Sequence, residues 1–90
     1  MKAIVTVVGK DRVGIIAEIC SLLAEMNINI NDINQTVMQD DFFTMVMLTD
    51  TAKSSLNFGE ISDKLNAKGE EMGLSVRIQR EDIFNSMHRI

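Results

Sequence analysis

Apolar residues follow two different spacings along the chain, and each change of spacing marks a new element. Residues 2–9 are rich in Val and Ile, which predicts a β-strand. In residues 13–26 the apolar side chains recur at helical spacing, which predicts an amphipathic helix. Residues 28–39 and 42–49 are predicted to be strands of a hairpin, joined by the polar turn Gln39-Asp40-Asp41.

The second half of the chain begins with a polar loop that starts at Asp50. Asn57 and Glu60 have the spacing of a capping box, in which two residues satisfy each other's free backbone N–H groups at the start of a helix. The sequence therefore predicts a second helix that runs to about Met72. Gly73 is predicted to end it.

Clean alternation of apolar and polar residues returns in residues 74–80, which predicts a fourth strand. Residues 81–87 are predicted to form a short C-terminal helix. We expect one domain over residues 1–90, with a core in residues 1–80 and an extension in residues 81–90.

The apolar phase of the second strand slips by one residue. Ile28 and Ile30 are in one phase, whereas Ile33 and Val37 are in the other. An inserted residue in one strand produces such a slip, so we expect a β-bulge near Asn31-Asp32.

The element order βαββαβ predicts an α+β fold. Right-handed crossovers give a ferredoxin-like sandwich, a four-stranded antiparallel sheet with two helices on one face. The first and third strands are apolar on both sides, and a solvated face is normally polar. We therefore expect the open face to be covered by the C-terminal segment, by a partner subunit or by both; a mixed, uncovered face is the alternative.

Composition narrows the classes of partner. The 90 residues carry a net charge of -4 without a basic cluster, which argues against nucleic acid and anionic membranes. The single Cys forms no internal disulfide and holds no iron–sulfur cluster, so a reducing, cytoplasmic location is expected. We expect no signal peptide, membrane-spanning segment, metal or cofactor.

The junction between the first strand and first helix, Lys10 to Ile16, has the chemistry for a small polar ligand. A helix N-terminus attracts an anion, and Asp11 suits an ammonium group, so an amino acid zwitterion fits both. In the alternative interpretation Asp11 caps the helix, Arg12 is solvated and Gly14 provides packing space.

Several asparagines follow the first helix. Asn27 and Asn34 fit turn and bulge chemistry. Asn29 and Asn31, out of phase with the core isoleucines, are better ligand candidates. Cys20 is expected to be a buried small residue without a lowered pKa.

The segment Thr6 to Ile16, followed by Met26-Asn27-Ile28-Asn29-Ile30, resembles the ACT domain, a small βαββαβ module that regulates amino-acid metabolism. The chain is similar to small stand-alone bacterial ACT proteins and to the ACT halves of the glycine cleavage system transcriptional repressor. The resemblance implies an amino acid bound at a subunit interface. For its contacts, the resemblance implies Asp11, Gly14 and Asn29. The full set of candidate ligand-binding residues, from the turn after the first strand and from the second strand, is Asp11, Arg12, Val13, Gly14, Ile15, Asn29, Asn31.

We therefore expect a non-catalytic regulatory module that forms a homodimer or higher homo-oligomer. The alternative is a module that dimerises or docks without a ligand. An enzyme is disfavoured because no nucleophile–base pair stands out and Asp11 would repel a phosphate. RNA binding on the sheet is disfavoured because stacking aromatics and basic residues are missing there.

Overall fold

A computed structural model describes residues 1–82. The elements are β1 (Lys2–Lys10), α1 (Ile15–Glu25), β2 (Asn29–Met38), β3 (Phe42–Asp50), α2 (Phe58–Met72) and β4 (Ser75–Arg80). This βαββαβ order confirms the predicted elements. The predicted C-terminal helix over residues 81–87 lies, beyond Asp82, outside the described residues.

The four strands form one antiparallel sheet in the order β2-β3-β1-β4. The two central strands are β3 and β1, while β2 and β4 are its edges. β1 pairs with β3 from Lys2 opposite Asp50 to Lys10 opposite Phe42. This register confirms the ferredoxin-like sandwich.

The predicted bulge in β2 is present. Ile30 lies opposite Thr49, but Asp32 lies opposite Leu48, so Asn31 is the extra residue. Beyond the bulge Ile33 lies opposite Met47, on the side of the sheet that carries the helices. The bulge therefore lets both apolar phases of the strand face the same side.

The core lies between the sheet and the two helices. β1 contributes Ala3, Val5 and Val7, each fully buried. The helices place their apolar stripes against these strands; the buried helix residues include Ile15, Ile19, Leu23, Ile61, Leu65. The one fully buried polar side chain of the described residues is Thr49, and its hydroxyl donates to the Ala3 carbonyl at 2.8 Å, so its burial leaves no polar group unpaired.

The open face of the sheet is apolar along its centre and polar at its edges. On β1 and β3, Ile4 is buried, Val46 and Leu48 are half-buried and Phe42 is exposed. The edge strands contribute polar side chains to this face: Asp32, Asn34, Thr36, Ser75, Arg77. Covering of this face by a partner or by the C-terminal segment stays a prediction.

Candidate functional site

The loop between β1 and α1 is held against the β2–β3 turn. The Asp11 backbone N–H donates to the Asp41 carbonyl at 2.6 Å, and the Asp41 N–H donates to Met38 at 3.0 Å. Asp41 has φ of 58°, a left-handed conformation that the tight turn requires. The loop is therefore fixed at its start, while the Asp11 side chain stays exposed.

Helix α1 begins two residues later than predicted, and its N-cap is Gly14. Gly14 has φ of 93° and makes no side-chain cap, so the interpretation of Asp11 as the cap is wrong. A Cβ on Gly14 would meet nothing within 4 Å, so packing space is not the reason for glycine either. Gly14 turns the chain through a conformation that other residues resist, and it leaves the first N–H groups of α1 without a capping side chain.

The charges around this helix start are balanced. Arg12 donates to Glu18 at 3.3 Å, and Lys68 of α2 lies 3.8 Å from the other Glu18 oxygen. Arg12 is therefore paired as well as half-exposed. The two cations offset the negative charge of Glu18, which would otherwise repel an anion from the first turn.

The two apolar residues of the loop lie in opposite environments. Val13 is 96% exposed, whereas Ile15 is 2% exposed and belongs to the core. Ile15 therefore offers a ligand only its backbone. The exposed apolar side chain of Val13 contributes no hydrophobic stabilisation in the single chain. Contact with another molecule would bury it.

Asn29 and Asn31 lie far from this loop in the same chain. They bond to each other, with the Asn29 amide donating to Asn31 at 2.7 Å. Asn29 lies opposite Asp50, at the other end of β3 from Phe42 and the Asp11 loop. Eight residue steps at about 3.4 Å each separate the two ends by about 27 Å. Within one chain, the residues from Asp11 to Gly14 form one group, and Asn29 and Asn31 form a separate group.

Three exposed apolar residues of β2 and α1, here called the apolar strip, lie on the helix side of the sheet. Ile33 and Val37 of β2 face the helix layer but are 39% and 52% exposed, and Ile16 on α1 is 37% exposed. Sequence reasoning assigned Ile33 and Val37 to an apolar strand face without recognising this exposure. Their position on an edge strand beyond a bulge is the signal that would have indicated it.

Cys20 is half-buried on α1, and burial raises the pKa of its thiol. The raised pKa disfavours the reactive thiolate form. Within residues 1–82, no group of His, Cys, Asp and Glu is arranged to hold a metal ion. No helix in that range is long and apolar enough to cross a membrane.

The fold, the first helix with glycine as its N-cap and the bulged second strand together define the class of protein to which the chain belongs. Residues 2–79 match the family model described as the ACT domain. The chain belongs to the ACT domain family, a family of regulatory modules. It is 57% identical to a UPF0237 protein of Clostridium acetobutylicum over 90 residues, 100% of each chain. A UPF0237 protein of Methanocaldococcus jannaschii is 47% identical, covering 99% of this chain and 98% of that protein.

Solved structures agree with this assignment. An ACT domain protein from Streptococcus pneumoniae superimposes with a TM-score of 0.82 at 38% identity, covering 93% of each chain. A protein assigned as a glycine cleavage system transcriptional repressor gives a TM-score of 0.74 at 27% identity, covering 87% of this chain and 44% of that one. A formyltetrahydrofolate deformylase from Pseudomonas syringae, at 21% identity, shares the fold over 88% of this chain and 27% of its own length.

Proposed function

We propose that this protein is a non-catalytic, cytoplasmic regulatory module that binds an amino acid between two copies of the chain. The observation that supports the proposal most is the separation of the two groups of candidate residues, which we call half-sites. Asp11 and Gly14 lie at one end of the sheet, and Asn29 and Asn31 lie at the other. A second copy can supply the missing half at each end.

Edge strand β2 provides the geometry for that second copy. If two β2 strands pair antiparallel about a two-fold axis near mid-strand, the start of one lies beside the end of the other. The partner's Asn29 would then approach Met38 and the loop that carries Asp11. Two equivalent sites would form, each with residues from both chains.

The exposed apolar strip supports the same arrangement. Ile33 and Val37 lie on edge strand β2, where a second copy would bury them against its own strip. Burial of apolar area contributes about 25 cal/mol per Å². A free ten-residue edge strand with apolar side chains is also an aggregation hazard, which closed pairing removes.

The ligand class follows from the charges. The Asp11 carboxylate forms no ion pair with the described residues, so it is available to an ammonium group. The start of α1 offers N–H groups to a carboxylate. The partner's Asn29 and Asn31 would add neutral donors and acceptors. An α-amino acid carries an ammonium group and a carboxylate on the same carbon atom.

Thermal-shift screening with the twenty amino acids at millimolar concentration tests the ligand. A bound amino acid is expected to raise the melting temperature by mass action. Asp11→Asn should abolish the shift, whereas Asp63→Asn, which removes an exposed carboxylate from α2, should keep it. If no amino acid shifts the wild-type protein, amino-acid binding is wrong.

Mass measurement in solution tests the second copy. We expect a dimer that Val37→Glu or Ile33→Glu converts to a folded monomer, because each puts a charge into the apolar strip. Ala67→Glu places the same charge on exposed α2 and should leave the mass unchanged. A monomeric wild type at micromolar concentration would contradict the intersubunit site.

A ligand-independent interaction module is the second candidate. Val13, which is almost fully exposed, favours this candidate because apolar contact with a partner alone would bury the residue. The two candidates differ in one result. A dimer whose mass and melting temperature ignore every amino acid supports the interaction module.

A further inference from the structure

The open face of the sheet is buried unevenly along its length. The two helices within residues 1–82 pack on the other face, where the core lies. On the open face of central strand β1, Ile4 is only 9% exposed, whereas Val8 is half-buried. At the far end of β3, Phe42 is 44% exposed. Burial of the open face is therefore greatest near Ile4 and least near Phe42.

The chain leaves the sheet at the buried end of this face. Gln79 lies opposite Ile4, and Arg80 is the last residue of β4. Burial along the open side of β4 increases in the same direction, since Ser75 is exposed and Gln79 is half-buried. The chain becomes helical directly after Arg80, whose guanidinium lies 3.0 Å from the Asp82 carboxylate. The segment that follows Asp82 therefore starts beside the most buried part of the open face.

The sequence of residues 83–90 suits an apolar surface. Its apolar residues recur at helical spacing, namely Ile83, Phe84, Met87 and Ile90. Successive helical residues are about 100° apart, so these four fall within about one third of a helix circumference, and Asn85 falls on the opposite side. An amphipathic helix of this kind buries its apolar stripe against another apolar surface.

The length of the segment matches the width of the buried region. Neighbouring strands lie about 4.8 Å apart, so Leu48, opposite Ile4 on β3, is about 10 Å from β4. A helix over residues 81–90 is about 15 Å long and therefore crosses β1 and reaches β3. Such a helix is only about 10 Å wide, whereas the nine residues of β3 span about 30 Å. It covers the end of the face that carries Ile4 and leaves Phe42 uncovered.

We propose that residues 83–90 fold back over the open face of their own chain and bury Ile4 and Leu48 beneath Phe84 and Met87. The C-terminal segment, and not a partner subunit, is then the cover of this half of the face. The proposal is independent of the amino-acid site and leaves edge strand β2 available to a second copy. The end of the face that carries Phe42 is the part of it that remains for a partner.

Methyl NMR spectroscopy of the full chain tests the contact. The ring of Phe84 should shift the methyl signals of Ile4 and Leu48 upfield. Phe84→Leu keeps an apolar side chain and removes the ring, so these signals should move downfield. The methyl signals of Val8, towards the uncovered end, should stay in place. Unchanged signals of Ile4 and Leu48 in this variant would overturn the proposal.

Two charge substitutions at neighbouring positions give the matched comparison. Phe84→Asp puts a carboxylate into the apolar stripe and should lower the melting temperature by about 5–10 °C. Asn85→Asp adds the same charge on the opposite side of the segment and should lower it by less than about 2 °C. Equal losses in the two variants would contradict a stripe that faces the sheet.

An equal mixture of isotope-labelled and unlabelled chains shows which copy supplies the cover. Nuclear Overhauser contacts between the Phe84 ring and the Ile4 methyl groups are expected within one chain. The same contacts between a labelled and an unlabelled chain would assign the cover to a second copy and overturn the proposal.

Discussion

The two helices of this protein begin in opposite ways. At the start of α2, Asn57 accepts from the Glu60 N–H at 2.8 Å and donates its own N–H to the Glu60 carboxylate at 3.1 Å. At the start of α1, Gly14 provides a backbone turn and no side chain. The start of α2 is satisfied by its own side chains, whereas the start of α1 leaves backbone N–H groups without a capping side chain.

The segments that follow the two helix starts differ in the same way. α2 ends at Gly73 in a left-handed conformation, and the Leu74 N–H donates back to Gly69 at 2.7 Å. By contrast, Ile16 of α1 is exposed, and the strand that follows α1, edge strand β2, is exposed over most of its length. We infer that the α2 half stabilises the fold and that the α1 half is kept available for contact.

The largest expected effect on stability is at Gly14. Gly14→Ala should lower the free energy of unfolding by about 1–2 kcal/mol, because a Cβ resists φ of 93°. Gly59→Ala, in the first turn of α2, should be neutral or stabilising by up to about 1 kcal/mol, since helical Ala is favoured over Gly. Urea denaturation of both variants measures the difference. Equal losses would contradict the conformational role assigned to Gly14.

The next effect is at the α2 cap. Asn57→Ala should cost about 1 kcal/mol, since it leaves the Glu60 N–H without its acceptor. Asn66→Ala, at an exposed position within the same helix, should change stability by less than about 0.5 kcal/mol. The urea midpoints of the two variants distinguish the loss of the helix cap from the general effect of replacing an asparagine in or next to this helix. Similar midpoints would show that the capping box contributes little.

A smaller effect is expected at Asp11. Asp11→Ala should change stability by less than about 0.5 kcal/mol, because the Asp11 side chain caps nothing and only its backbone holds the loop. The same urea titration checks this value. A loss as large as that of Asn57→Ala would mean that Asp11 stabilises α1, and would remove the main reason to assign it to a ligand.

Local patterns predicted most of the fold. The Asn57–Glu60 spacing located the start of α2, and the phase slip between Ile30 and Ile33 located the bulge, because both signals depend on neighbours in sequence. The start of α1 was predicted too early. Val13 continues the apolar spacing of the helix, and spacing does not reveal that Gly14 adopts positive φ.

The candidate site was less accessible to sequence reasoning because it depends on the sheet. Asp11 and Asn29 are 18 positions apart in the chain, yet the antiparallel register puts them at opposite ends of the strands. The exposure of Ile33 and Val37 likewise depends on the position of β2 at the edge of the sheet. No local pattern in the sequence reports either feature.

The smallest effect is a pH dependence at Asp50, which lies at the end of the sheet that carries Asn29. The Ala52 N–H donates to the Asp50 carboxylate at 3.0 Å, and this bond is the main cause that lowers the pKa of Asp50 below its ordinary value of 3.8. A lowered pKa stabilises the folded state above the unfolded pKa, and this contribution is lost as pH falls through the folded pKa. Urea midpoints between about pH 5 and pH 2 should therefore fall less steeply for Asp50→Asn than for the wild type, because the variant has no carboxylate at this position to be protonated. Asp63→Asn removes an exposed carboxylate of α2 that forms no ion pair with the described residues, so it should follow the wild-type curve. Parallel curves for all three proteins would mean that the Ala52 bond is not maintained in solution, and that this end of the sheet is as open as the Asp11 loop at the other.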